Sequence, residues 1–300
     1  MFPASNNSMR KAADMILEET FTLSNGISIP KLGLGTWRID DAKVAQAVRD
    51  AIEIGYRHID TAQGYGNERG VGEGVRTSGI ARDQLFVTTK VQADFKTHAE
   101  AARSIDGSLE AAGLDYYDLI IIHAPQPWKQ FRNGEHFFEG NLEAWQALEE
   151  AQKAGKVRSI GVSNFEEIDL QNILDNGSVK PVINQVLAHV GNTPFDLIEF
   201  SKQNDILIEA YSPVAHGNLV DNEDIAAIAR RYGVSVPQLC IRYCLELGLL
   251  PLPKTINPDH MRSNAQVDFI ISAEDMATLR AYGRISYGEA GAFPVFGGKL

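Results

Sequence analysis

The feature that most limits how this chain can fold is an alternation running along its length. Eight short, apolar, β-type runs are separated by helical stretches, at residues 32–37, 57–62, 86–91, 118–123, 159–164, 183–187, 207–212 and 249–253. Several are almost continuously apolar, residues 119–122 among them, as parallel strands covered on both faces must be. Between the first two runs, Val44, Ala47, Val48, Ala51 and Ile52 form a helical stripe that ends at Gly55. Ser235 and Gln238 have the spacing of a capping box at the start of a later helix. Eight such units in one domain predict an α/β fold of the (β/α)8 TIM-barrel class, with a doubly wound open sheet as the alternative.

Ahead of the first run, two β-type segments at 20–23 and 27–30 flank Ser24-Asn25-Gly26, a strong hairpin signal. No Pro/Gly/Ser-rich linker divides the chain. The reading is an N-terminal extension over 1–19, a barrel over 20–282, and a C-terminal tail of the same domain over 283–300.

Charge narrows the partners. Lys and Arg total 28 against 39 for Asp and Glu, a net −11 that argues against nucleic acid or an anionic membrane. No apolar run approaches the length of a membrane span. The first twenty residues carry no small-residue cleavage pattern, so they do not read as a secretory signal. Cys240 and Cys244, four apart in a helical pattern, read as reduced core residues. The expectation is a cytoplasmic monomer or weak oligomer acting on a small molecule.

In an α/β barrel the active site lies at the C-terminal ends of the strands. Asp60, Lys90 and His123 end three consecutive runs, and neighbouring strands about 4.8 Å apart let such side chains converge. Tyr65, five residues beyond Asp60, can reach the same place. Each residue alone also has a plain structural explanation. A competing constellation is a metal site built from His58, Asp60, His123 and His189, which would suit a hydrolase. That reading gives Tyr65 and Lys90 no role.

Taken in order, the motifs resemble those of the aldo-keto reductase superfamily, bacterial type. They are GYRHIDTAQGYGNE from Gly55, TTK ending at Lys90, IIH ending at His123, GVSNF from Gly161, INQV from Ile183, AYSP from Ala210 and LPKT from Leu252. The likeness runs from the Asn25-Gly26 hairpin to about Asn264. The glycines between Gly64 and Gly74 contain no GxGxxG, and the resemblance makes that stretch the catalytic loop.

The resemblance implies reduction of aldehydes or ketones by hydride from NADPH, with Tyr65 as general acid and Asp60, Lys90 and His123 completing the catalytic set. Lys90 would lower the phenol's pKa, Asp60 would hold Lys90, and His123 would orient the carbonyl oxygen. Ser163, Asn164 and Gln185 would hold the nicotinamide carboxamide, although Asn164 also stands where it could cap a helix. Tyr211 would stack on the nicotinamide, and Ser212, Gly217 and Leu219 belong to the segment wrapping the pyrophosphate. Lys254, Thr255 and His260 match the 2′-phosphate contacts, and Asn264 an adenine contact. His260 departs from the family, which usually has arginine there. Histidine as a residue type is mostly neutral at pH 7, so NADH is admitted as well as NADP(H).

On the substrate side, Trp37 matches a pocket residue and Ala124 stands where relatives often carry tryptophan. Trp128, Phe131, Phe137 and Phe138 in the following loop are candidates to refill the space. The tail, with Tyr287, Phe293 and Phe296, matches a substrate lid. The resemblance implies no metal. A second alternative is a cofactor-binding relative without catalysis.

Overall fold

The computed structural model describes residues 15–298. Its core is eight parallel strands hydrogen-bonded in chain order: β3 (Leu34–Gly35), β4 (His58–Asp60), β5 (Phe86–Val91), β6 (Tyr117–Ile122), β7 (Val157–Ser163), β8 (Ile183–Leu187), β9 (Leu207–Tyr211) and β10 (Leu250–Leu252). The first and last strands also meet. Gly33 N–H donates to the Pro251 carbonyl at 3.3 Å, Gly35 N–H donates to the Pro253 carbonyl at 3.0 Å, and Gly35 bridges Lys254 in parallel. The strand order never reverses and the sheet closes, which sets aside the open doubly wound alternative.

Glycine makes the seam possible. A Cβ on Gly33 would lie 2.6 Å from Leu252 Cδ2 and 2.7 Å from His58 Nδ1, and one on Gly35 would lie 3.2 Å from the Leu252 carbonyl oxygen. The seam strand is also where the expected boundaries shrink most. Residues 32–37 yield a two-residue strand, because few of its groups find ladder partners.

Helices cover the outside as their patterns require. Helix α1 (Asp41–Ile54) buries Val44, Ala47, Val48, Ala51 and Ile52, and stops at Gly55, whose φ of 126° suits glycine. The capping box forms: Ser235 Oγ accepts from Gln238 N–H while Gln238 Oε1 accepts from Ser235 N–H, opening α2 (Val236–Glu246). Cys240 and Cys244 on this helix are free and buried; burial pushes the Cys240 thiol up to about 12. No helix among the described residues is long and apolar enough to cross a membrane.

The hairpin pairs β1 (Thr20–Thr22) with β2 (Ser28–Pro30) across a turn with Gly26 at φ 82°. Its Leu23 and Ile29 are buried against Phe86, Ile183 and Leu250, the first residues of their strands, so the hairpin stoppers the lower mouth of the barrel. Of the expected extension, residues 1–14 lie outside the described residues, while Ile16 and Leu17 pack into the barrel's outer core. At the other end, short turns at Gly288–Ala292 and Pro294–Phe296 bring Phe296 against Leu187, Trp37 and Tyr211, over the upper mouth.

Candidate active site

The strand ends gather the first group of residues. Lys90, fully buried at the end of β5, donates from Nζ to Asp60 Oδ1 at 2.6 Å and to the Thr61 carbonyl at 2.8 Å. The same Nζ lies 4.9 Å from the centre of the Tyr65 ring. Tyr65 and His123 meet edge to face, their centroids 5.7 Å apart. Tyr65 sits on a 3-10 turn (Gln63–Tyr65) fixed by two polar neighbours that sequence reading passed over. Asn67 donates to the Thr36 and Ile39 carbonyls and accepts from Thr61 Oγ1. Gln63 donates to the Ser104 carbonyl and Ser108 Oγ and accepts from Gln92 N–H. Both lie within the GYRHIDTAQGYGNE stretch; most of their partners are backbone groups distant along the chain, which spacing does not reveal.

The second group lies on β7 to β9. Ser163 Oγ donates to the Gln185 carbonyl at 2.8 Å. Asn164 takes a left-handed φ of 61°, its Nδ2 donating to the His123 carbonyl and to Ser163 Oγ, its Oδ1 accepting from the Tyr211 hydroxyl at 2.7 Å. It is not a helix cap: the next helix, α3 (Glu167–Asn176), is capped by Glu166 with Asp169. Gln185 Nε2 donates to Asp60 Oδ2 at 2.9 Å and to Glu209 Oε2 at 2.8 Å. After β9 the backbone turns left-handed repeatedly, at Ser212, Ala215, His216 and Gly217. Three of these are not glycine, a concentration of strain of the kind found where a loop is shaped around a ligand.

A cavity of about 920 Å³ opens above these groups. Trp37, Asp60, Tyr65, His123, Trp128, Ser163, Asn164, Gln185, Tyr211, Ser212, Gly217, Lys254, Thr255, His260 and Asn264 all line it, so most of the expected set converges on one space. Three expected residues do not. Lys90 lies beneath the floor. Leu219 is buried in an apolar cluster with Ala215 and Ile225, anchoring the loop from behind. Ala124 is fully buried off the wall, its carbonyl accepting from Lys96 Nζ.

Electrostatics depart from the expectation at Tyr65. Burial first, and the Asp60 carboxylate second, hold its phenol well above the ordinary tyrosine range. The charge of Lys90, expected to lower it, is already matched by Asp60 at 2.6 Å. Burial and the Lys90 charge press His123 well below the usual histidine range, so its imidazole is neutral. The metal alternative fails on geometry: no three His, Cys, Asp or Glu side chains among the described residues converge as ligands. His189 is turned instead to the Val190 carbonyl at 2.7 Å and the Tyr287 hydroxyl at 2.9 Å.

The sequence matches the profile of the Aldo/keto reductase family over residues 31–284. The chain belongs to the aldo/keto reductase family. It is 39% identical over 267 residues to a glyoxal reductase of Bacillus subtilis (strain 168), covering 88% of this chain and 93% of the relative. It is 40% identical over 263 residues to a 9,11-endoperoxide prostaglandin H2 reductase of Trypanosoma cruzi (strain CL Brener), covering 86% and 89%. Among solved structures, an aldo/keto reductase from Brucella melitensis superposes with a TM-score of 0.81 at 36% identity, covering 87% of this chain and 97% of that one. A Bombyx mori aldo-keto reductase in complex with NADP superposes at 0.80 with 32% identity, covering 93% and 98%. This reductase is thus a TIM-barrel oxidoreductase that uses a nicotinamide cofactor to act on carbonyl groups.

The side of the cavity expected to take substrate is aromatic. Trp128 folds back from its loop to within 5.1 Å of His123, ring to ring. Phe131 backs Trp128 at 5.5 Å, whereas Phe138 begins a helix and stacks on His136. From the tail, Phe293 meets Trp37 at 5.2 Å and Phe296 meets Tyr287 at 4.7 Å. The tail also touches the left-handed loop, Phe296 lying 5.9 Å from His216.

Proposed function

We propose that this reductase converts small aldehydes and ketones to alcohols with NADPH, Tyr65 being the proton donor. The observation that supports this most is the buried Lys90, whose ammonium spans from Asp60 to the face of Tyr65. A bound nicotinamide dinucleotide supplies the hydride. Negative charge then grows on the carbonyl oxygen, and Tyr65 meets it with its proton. A neutral phenol can serve as the proton source in this exchange, because the alkoxide that grows on the carbonyl oxygen is a base comparable with hydroxide. The raised value also keeps Tyr65 protonated before the reaction, the state a donor needs. Neutral His123 donates a ring N–H to the same oxygen and sets its direction.

The residues fit a phosphate-bearing dinucleotide. Arg38 and Lys254 both line the cavity, and neither forms an ion pair among the described residues. Lys254, Thr255 and His260 would hold the 2′-phosphate, Asn264 the adenine, Ser212 and Gly217 the pyrophosphate, and Ser163, Asn164 and Gln185 the carboxamide, with Tyr211 against the ring. With His260 in place of arginine, NADH is accepted as a weaker cofactor. Substrates are small carbonyl compounds with an apolar flank, seated among Trp37, Trp128 and the tail. The dicarbonyl named for the Bacillus subtilis relative is a natural first compound to try.

Tyr65→Phe tests the reading. Reduction of a simple aldehyde should fall about 100- to 10,000-fold, the usual contribution of a positioned acid, while NADPH affinity stays within about threefold. Turnover within a few-fold of wild type would remove Tyr65 from the role.

A further inference from the structure

Glu209 is a carboxyl group for which the reaction above has no use. It sits on β9 two residues before Tyr211, so the strand's pleat turns both into the barrel. It is fully buried; Oε2 accepts from Gln185 Nε2 at 2.8 Å, and Oε1 has no hydrogen-bond partner among the described residues. The same Gln185 nitrogen donates to Asp60 Oδ2 at 2.9 Å. Only an N–H can donate to two carboxyl groups, so the pair fixes which way the Gln185 amide is turned. Its oxygen remains as the hydrogen-bond acceptor that Gln185 offers on the cavity wall.

We propose that Glu209 is a positioning residue which, through Gln185, seats the carboxamide of the nicotinamide ring, and that loss of its proton shifts the site's preference from the reduced to the oxidised cofactor. This rests on the reading that Gln185 is a carboxamide contact. The groups facing Glu209 are His58 and Asp60 from β4, Lys90 from β5, and the uncharged Gln185 and Leu250 flanking it in register on β8 and β10. Asp60 and Lys90 neutralise each other at 2.6 Å, and burial with the Lys90 charge keeps His58 neutral. Glu209 is therefore the group whose ionisation changes the net charge of this floor near neutral pH. Burial, then the neighbouring Asp60, push its carboxyl up to about 8. Below that pH the floor carries no net charge and the neutral reduced ring is accepted. Above it a buried carboxylate lies beneath the floor, behind Gln185, and the cationic oxidised form would gain. Linkage makes the effect reciprocal: oxidised cofactor favours release of the Glu209 proton.

The experiment is a pair of binding titrations, NADP+ and NADPH, followed by tryptophan fluorescence at pH 6.5 and pH 9. Wild type, Glu209→Gln, Glu209→Leu and Gln185→Ala are compared. The ratio of the two dissociation constants is the readout, because titration at the 2′-phosphate is common to both ligands and cancels. In wild type the preference for NADPH should drop about three- to tenfold between the two pH values. Glu209→Gln, which still offers Gln185 an acceptor but cannot titrate, should bind both forms with a pH-independent ratio. Glu209→Leu should weaken both. A flat ratio in wild type, or a Glu209→Gln ratio that follows the wild-type curve, overturns the proposal even if Glu209→Leu fails to fold. Gln185→Ala separates the two claims. If it leaves both affinities unchanged, the carboxamide reading itself is wrong; if it weakens them while Glu209→Gln tracks wild type, only the role of Glu209 falls.

Discussion

The floor of the cavity and its rim are built on opposite plans. At the floor the polar groups hold one another: Lys90 holds Asp60, Gln185 joins Asp60 to Glu209, and Asn164 joins Tyr211 to the His123 carbonyl. At the rim, Arg38 and Lys254 face the cavity without an ion pair among the described residues, and His260 is exposed. Burial, and Arg38 beside it, lower the Lys254 pKa, as expected of cations brought together without an anion. A floor that partners itself keeps its geometry whatever is bound, so a change there damages fold and chemistry together. A rim whose cations form no ion pair among the described residues can change its residues at little cost to the fold.

Four substitutions or conditions can break or sharpen that contrast. The largest effect belongs to Lys90→Met. It leaves the Asp60 charge buried without its partner, and stability in urea should fall by about 3–5 kcal/mol, with reduction lost. A drop below 1 kcal/mol would mean the floor does not depend on its internal pairing. Lys254→Ala should do the reverse: unfolding unchanged, NADPH weakened about 10- to 100-fold, and NADH within about threefold, since a charge-assisted contact to phosphate is worth about 1.5–3 kcal/mol. Equal loss for both cofactors would place Lys254 away from the 2′-phosphate.

Acid should act on the floor before the rim. Burial holds His58 at about 3 and His189 at about 4, and His123 well below its usual range. Their folded values lie below the unfolded value near 6.5, so the unfolded chain binds protons first as pH falls and stability is lost from about pH 6.5 downward. Glu209 works against this. Its raised folded value makes it a net stabiliser on acidification between about 8 and 4.5. Three histidines against one carboxyl give a net loss of about 1–2 kcal/mol between pH 6.5 and 5.5, measurable by urea unfolding at each pH. Constant stability across that interval would show that these histidines are not held neutral. The smallest effect is His260→Arg at the exposed rim, which should tighten NADPH about three- to tenfold and leave NADH alone.

The floor and rim also differed in how far they could be read beforehand. Strand order and the strand-end groups Asp60, Lys90 and His123 were legible because each is an ionisable side chain that closes a β-type run. The seam was not, since Gly33 and Gly35 act through the side chains they lack. Glu209 had a signal in its period-two match with Tyr211, yet a charged residue in a β-type run reads more readily as solvent-facing. Leu219 belonged to the right loop but serves it from the core. The direction of the Tyr65 shift depended first on how deeply the phenol is buried and then on the Asp60 charge beside it, neither of which spacing carries.

The stoppered lower mouth has a consequence for traffic. On the proposed reading Tyr65 gives up a proton in every cycle and must be recharged from outside. Leu23 and Ile29 shut the barrel from below, and the tail aromatics roof it from above. On the proposed reading, product and replacement proton would share the face that the tail covers, so a tail that opened slowly would delay product release and the recharging of Tyr65 together.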